Sequence, residues 1–176
     1  MDATRVLVAQ HRAIETLFEE VDLERRRRTR EGAVSRLAEE LIAHMAAEEA
    51  VFYPTARRVL DKGLAASDQG RNEHLMLRIE LRRMLETSVT DAAFDERIEV
   101  LRTLFVQHVR DEESNLFPSV ANALSRAQLE ALGVEILASR PPVWVVTAEG
   151  RALVHSGDQW SLRSRISLPI PPSRDQ

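Results

Sequence analysis

One eleven-residue pattern is written twice in this chain. It reads HMAAEEAVFYP at 44–54 and HVRDEESNLFP at 108–118. Each copy starts on His, has Glu four residues on, adds a second Glu, and ends on an aromatic residue and Pro. His44 and His108 stand 64 residues apart, and His11 and His74 stand 63 apart. The chain therefore divides into two similar halves, each with one lone His followed by one His-x-x-x-Glu. In a helix, residues i and i+4 lie about 40° apart and one turn apart, so each copy can aim its His and its Glu at one point. The pattern thus asks for helices, and for two helix pairs that face one another. No solenoid repeat has a single duplication of this period.

Hydrophobic periodicity agrees. A first helix over about 3–28 places Val6, Ile14, Leu17, Phe18 and Val21 on one stripe. Gly32 then marks a turn. A second, over about 32–60, carries Leu37, Leu41, Met45 and Phe52, and the stretch DKGLAASDQG is expected to end it. A third, over about 68–87, carries Leu77, Leu81 and Leu85. A fourth, over about 91–123, is capped by Thr90 or Asp91 and carries Phe94, Ile98, Leu101, Phe105 and Leu116. Ser125 can cap a short fifth helix ending near residue 140, where Pro141-Pro142 closes it. Beyond that, VWVVT and RALVH are β-prone runs separated by Ala148-Glu149-Gly150. This suggests a hairpin with Gly150 at positive φ, followed by an extended tail in PIPPSRDQ. Four long helices with short links make an antiparallel four-helix bundle the expected fold. The expected organisation is a bundle over 1–124, an accessory helix over 125–140 and a hairpin and tail over 141–176.

Composition narrows the chemistry. There is no cysteine, so disulfides, thiolate zinc sites and Cys-bound clusters are excluded. The net charge of −4 gives no general attraction to nucleic acid. The basic cluster Arg25–Arg28 with Arg30 reads as a helix C-terminus, where cations suit the macrodipole. No apolar run approaches the roughly 20 residues of a membrane span. MDATRVLVAQH lacks the features of a secretion signal, so the expected location is cytoplasmic.

His44 with Glu48, and His108 with Glu112, each direct an imidazole and a carboxylate at one point. His11 and His74 add one imidazole each from the other two helices, at heights that let all four meet mid-bundle. Burying such a set without a shared positive charge is costly. A metal supplies that charge. Imidazole and carboxylate suit iron, with manganese or zinc as alternatives, and two carboxylates able to bridge suggest two ions. A lone His-x-x-x-Glu would be an ordinary helix-surface pair; its duplication with matched lone His residues separates it from that reading. Glu49 and Glu113, about 140° from their own His, read as supporting or solvated groups. His155 reads as a surface or packing residue. Glu-x-x-His, HExxH, GxxxxGK[ST] and GxGxxG are all absent.

The arrangement His11, His44-x-x-x-Glu48, His74, His108-x-x-x-Glu112 resembles the hemerythrin-like, or HHE cation-binding, family over about residues 5–123. That resemblance implies a four-helix bundle holding a non-haem di-iron centre. In it, His11, His44, His74 and His108 would be terminal ligands, and Glu48 and Glu112 would bridge. The oxygen-carrying members have a His-x-x-x-His pair on the third helix. Here the corresponding neighbours of His74 are Gly70 and Arg78, neither of which replaces a neutral imidazole. Their last helix has His-x-x-x-x-Asp, which would correspond to Glu113. The absent imidazole points away from simple reversible oxygen carriage and towards an exchangeable position open to peroxide, dioxygen or nitric oxide.

Tyr53, the only tyrosine, is a candidate for the missing donor, with water or Glu113 as alternatives. An ideal helix would turn it about 140° from Glu48. A kink or bulge at Pro54 would be needed to bring it inward. The expectation is a di-iron protein binding a diatomic or peroxide for sensing, storage or protection, with no nucleic-acid or membrane partner. The alternatives are an enzyme with catalase-, peroxidase- or ferroxidase-like turnover, and a metal-free interaction bundle.

Overall fold

In a computed structural model, residues 1–24, 26–139, 143–146, 151–156 and 159–164 are described, the last three ranges by their backbone. Asp2 caps α1 (Ala3–Leu23) by accepting from the Arg5 N–H, and the chain turns at Glu24. α2 (Arg27–Ala47) runs through a π-helical turn at Glu48–Phe52 into α3 (Tyr53–Val59). α4 (Gly63–Leu85) follows, and α5 (Ala92–Asp111) starts where the Asp91 side chain accepts from the Ala93 N–H. A second π-helical turn, Glu112–Leu116, leads into α6 (Phe117–Ala123). α7 (Arg126–Ala138) opens on a capping box between Ser125 and Gln128. α1 packs on α2 and α4 on α5, and α7 lies along α1. The result is the expected all-α bundle.

Three helix limits differ from the sequence expectation. α1 ends at Leu23, and Arg27 begins α2, so the basic cluster lies at a helix start rather than a helix end. The unfavourable end of the dipole is offset by partners. Arg27 pairs with Glu31 at 2.9 Å. Arg30 reaches the Val89 carbonyl at 3.1 Å, pairs with Asp95, and lies 4.7 Å over the Phe94 ring. Gly32 consequently lies inside α2. The third departure is the start of the third helix: the preceding helix ends at Val59, just before DKGLAASDQG, as expected, but α4 begins within that stretch, at Gly63. Its small residues form a packing face. A Cβ at Gly63 would stand 2.1 Å from the Ala56 carbonyl oxygen. Ser67 is buried, with its hydroxyl 2.7 Å from the Gly63 carbonyl and 3.1 Å from that of Tyr53. Small residues here let α3 and α4 approach closely.

The core is in two halves. One gathers Ile14, Phe18, Leu37, Leu41, Leu77, Met84, Phe94, Leu101 and Phe105 towards the end of α1 and the start of α5. The other gathers Val6, Leu7, Phe52, Tyr53, Leu116, Phe117 and Val120, with Leu132 and Ile136 supplied by α7. Between them lies a layer of buried polar side chains: His11, His44, Glu48, His74, His108 and Glu112.

β1 (Val143–Val146), β2 (Arg151–Ser156) and β3 (Gln159–Ser164) form an antiparallel sheet in the order β1-β2-β3. β3 falls where no strand was expected. The Ala148-Glu149-Gly150 turn, Pro141-Pro142 and the PIPPSRDQ tail lie outside the described residues, as does the side chain of His155. Among the described residues, no helix is long and apolar enough to cross a membrane.

Candidate metal centre

The four imidazoles are arranged alike. Each turns Nδ1 outward to an acceptor: His11 to Glu113 at 2.9 Å, His44 to the Gln10 side-chain oxygen at 3.0 Å, His74 to Glu49 at 2.8 Å, and His108 to Glu73 at 3.0 Å. A carboxylate accepts but cannot donate, so the proton sits on Nδ1 and the Nε2 lone pair points inward. Those lone pairs converge on one another and on carboxylate oxygens. His11 Nε2 is 3.1 Å from His44 Nε2. Oε2 of Glu48 lies 3.3 Å from His44 Nε2, 3.2 Å from His74 Nε2 and 3.7 Å from His108 Nε2. Oε2 of Glu112 lies 3.5 Å from the Nε2 atoms of both His11 and His108. Acceptors therefore face acceptors in a buried layer. Among the described residues, both Glu48 oxygens, Glu112 Oε2 and His108 Nε2 find no hydrogen-bond partner in this buried layer. Such groups cost free energy unless a cation lies among them.

Five of the six residues, His11, His44, Glu48, His108 and Glu112, bring one ligand atom each within 4.8 Å of one another. His74 adjoins this group through Glu48. The donor set fits iron, manganese or zinc.

The electrostatics agree. Burial holds the His44 imidazole well below its ordinary pKa, and the neighbouring His residues add to this. Burial works against the charged form of His108 too, but the carboxylates of Glu112, Glu48 and Glu73 around it raise it well above the usual value, so that without a metal ion a proton supplies the positive charge the layer calls for. Burial raises Glu112 to about 7, helped by the Glu48 charge. Glu48 is driven the other way: burial opposes its charge, yet His44, His108 and His74 hold it well below the carboxylate range. The two facing carboxylates are thus driven in opposite directions, Glu48 towards its charged form and Glu112 towards its protonated one.

The two π turns set this geometry. Pro54 and Pro118 have no N–H, so the α-helical bonds to the carbonyls of Ala50 and Ser114 cannot form. The Tyr53 and Phe117 N–H groups bond five residues back, to Glu48 and Glu112. That places residues i and i+5 on one face. Tyr53 therefore points inward, as the bulge required. Its hydroxyl donates to Glu112 Oε1 at 2.9 Å and stands 3.1 Å from His74 Nε2. Burial, with the charges of Glu48 and Glu112, raises the pKa of the phenol. Its counterpart Phe117 stacks on His11, with ring centroids 5.6 Å apart and planes 10° from parallel. Gly70 makes room for Tyr53, since a Cβ there would stand 2.4 Å from the Tyr53 hydroxyl. The phenol thus fills the space of the side chain absent from position 70. Arg78 is turned away to Glu49, at 2.8 Å.

The sequence reading missed the roles of Gln10 and Glu73. Each precedes a lone His, and each supports the imidazole of the neighbouring helix. The signal was present, because 10 and 73 are 63 apart and 49 and 113 are 64 apart, the spacings of the His residues themselves.

The model of the hemerythrin HHE cation-binding domain matches residues 2–120. The fold is similar to the crystal structure of a hemerythrin HHE cation-binding domain-containing protein from Mycobacterium kansasii, with a TM-score of 0.70 and 21% identity over 78% of this chain and 84% of that one. A protein named DNA nickase from Nostoc sp. is 28% identical over 147 residues, which are 81% of this chain. The chain spans only about 40% of that relative's length.

Proposed function

The chain belongs to the hemerythrin HHE cation-binding domain family, and we propose that it holds two iron ions and binds dioxygen, peroxide or nitric oxide for sensing, storage or protection. The supporting observation is the inward convergence of four Nε2 lone pairs on the unpartnered oxygens of Glu48 and Glu112. We assign His11, His44, His74 and His108 as terminal ligands, Glu48 and Glu112 as bridging carboxylates, and Tyr53 as the seventh donor. Bound iron would supply the electrons that a small oxidant accepts. The chain's own residues do the rest. Glu113, Gln10, Glu49 and Glu73 fix the imidazole tautomers and ring directions. Phe52, Phe105 and Phe117 wall the layer from water. While Tyr53 is not coordinated, its hydroxyl holds a proton at Glu112 Oε1.

That proton favours a second reading, in which the centre turns over peroxide. Purified protein should contain iron and show a visible absorption band. Steady oxygen release on adding hydrogen peroxide would select turnover over binding. At matched iron content, Tyr53→Phe should lose a phenolate charge-transfer band, and coincident spectra would remove Tyr53 from the ligand set.

The proposed partner is a small molecule in the cytoplasm, not nucleic acid. The net charge of −4 supports this. The nickase name belongs to a protein of which this chain spans only part, and a plasmid-nicking assay with the purified chain should be negative.

A further inference from the structure

We propose that the cleft between α4 and the α5–α6 π turn is the route by which divalent metal ions enter the centre. This rests on the metal-binding reading above. The cleft is about 350 Å³ and opens to solvent beside the α3–α4 turn. Asp61, Lys62, Gln69 and Asn115 are exposed around it, while Gly70 and Glu112 lie buried along it. Asp61, Glu73, Asp111 and Glu112 supply four carboxyl groups to the lining, and Lys62 is the only cation among its described residues. Acidic groups alone would not define a route. Glu112 adds the independent observation: it is 3% exposed, lines the cleft, and has a buried oxygen without a hydrogen-bond partner.

The same carboxylate belongs to the buried cluster, whose ligand atoms lie within 4.8 Å of one another. An ion that passes Glu112 from the cleft enters that cluster directly. A negative mouth concentrates cations and raises their rate of entry, and the effect is screened by salt.

The test follows loading of full-length, metal-stripped protein, still helical by circular dichroism, with cobalt(II) at low ionic strength. Asp61→Asn should load more slowly than the parent and Lys62→Glu faster, the two differing by about tenfold. Glu130→Gln, on α7 outside the cleft, should match the parent. All should reach the same final stoichiometry, and the rate differences should shrink in salt. Asn115→Trp, which puts a large side chain at the mouth, should slow loading. It should also slow removal of metal from loaded protein by a chelator, a measurement that starts from the holo form. Equal rates in Asp61→Asn, Lys62→Glu and the parent, with unhindered exchange in Asn115→Trp, would overturn the route. Failure of every variant and the parent to take up cobalt would instead defeat the metal-binding reading.

Discussion

Gly70 shows how one residue type decides local structure here. On an exposed helix, replacing Gly by Ala gains about 1 kcal/mol. At position 70 the added Cβ would meet the Tyr53 hydroxyl at 2.4 Å and its ring carbon at 2.6 Å, inside the buried layer. Overpacking of this kind costs about 1–3 kcal/mol. Gly70→Ala should therefore lower the melting midpoint and displace Tyr53, which thermal denaturation and the visible spectrum would both report. A rise in midpoint would mean that Tyr53 does not lie against α4. Glu39 on α2 offers a second test. It is half-buried, and one oxygen is buried without a hydrogen-bond partner. Burial, then the Glu40 charge, raises its pKa from 4.5 to about 7. A carboxyl whose folded-state pKa is raised contributes most below its unfolded value, and that contribution is lost as pH rises through the folded one. Glu39→Gln should thus stabilise the protein at pH 8, with the gain fading towards pH 4.5. A pH-independent effect would contradict the burial of this group.

At the scale of elements, the π turns carry the argument. They set the directions of Tyr53 and Phe117, and each depends on one residue more than an α-helix would use. Ser114 is exposed within the second of them. Ser114→Ala should change stability by less than about 0.5 kcal/mol. Deleting Ser114 would leave Phe117 four residues after Glu112 but force α-helical bonding through the turn, where Pro118 has no N–H and its ring meets the carbonyl four residues back. The deletion should cost about 3 kcal/mol and should reduce metal content. Equal effects of substitution and deletion would show that the turn plays no part.

The helices and the His and Glu cluster were legible in the sequence because 3.6-residue periodicity and the i, i+4 pairs are both local signals. Tyr53 was legible only as a conditional, since its direction depends on a backbone bulge that Pro54 permits but does not force. The start of α4 was misread because glycine and small polar residues mark turns and close helix packing alike. The contact between Gly63 and Ala56 that separates these readings is tertiary. Gln10 and Glu73 were missed because each serves an imidazole on another helix.

For the whole molecule, two apolar halves are joined by one polar layer, so the fold and the metal are energetically linked. Ligands that bind the native state alone stabilise it by mass action, and the layer is unsatisfied without a cation. Chelation should lower the melting midpoint clearly, and an unchanged midpoint would count against a buried centre. The central claim is that duplicated motifs on paired helices form one two-metal site. Elemental analysis of the purified full-length chain, beside His44→Ala, His108→Ala and His155→Ala, tests it most directly. The account predicts two metal ions per chain in the parent and in His155→Ala, with sharp loss in the other two. A parent without stoichiometric metal, or equal loss in all three variants, would contradict it.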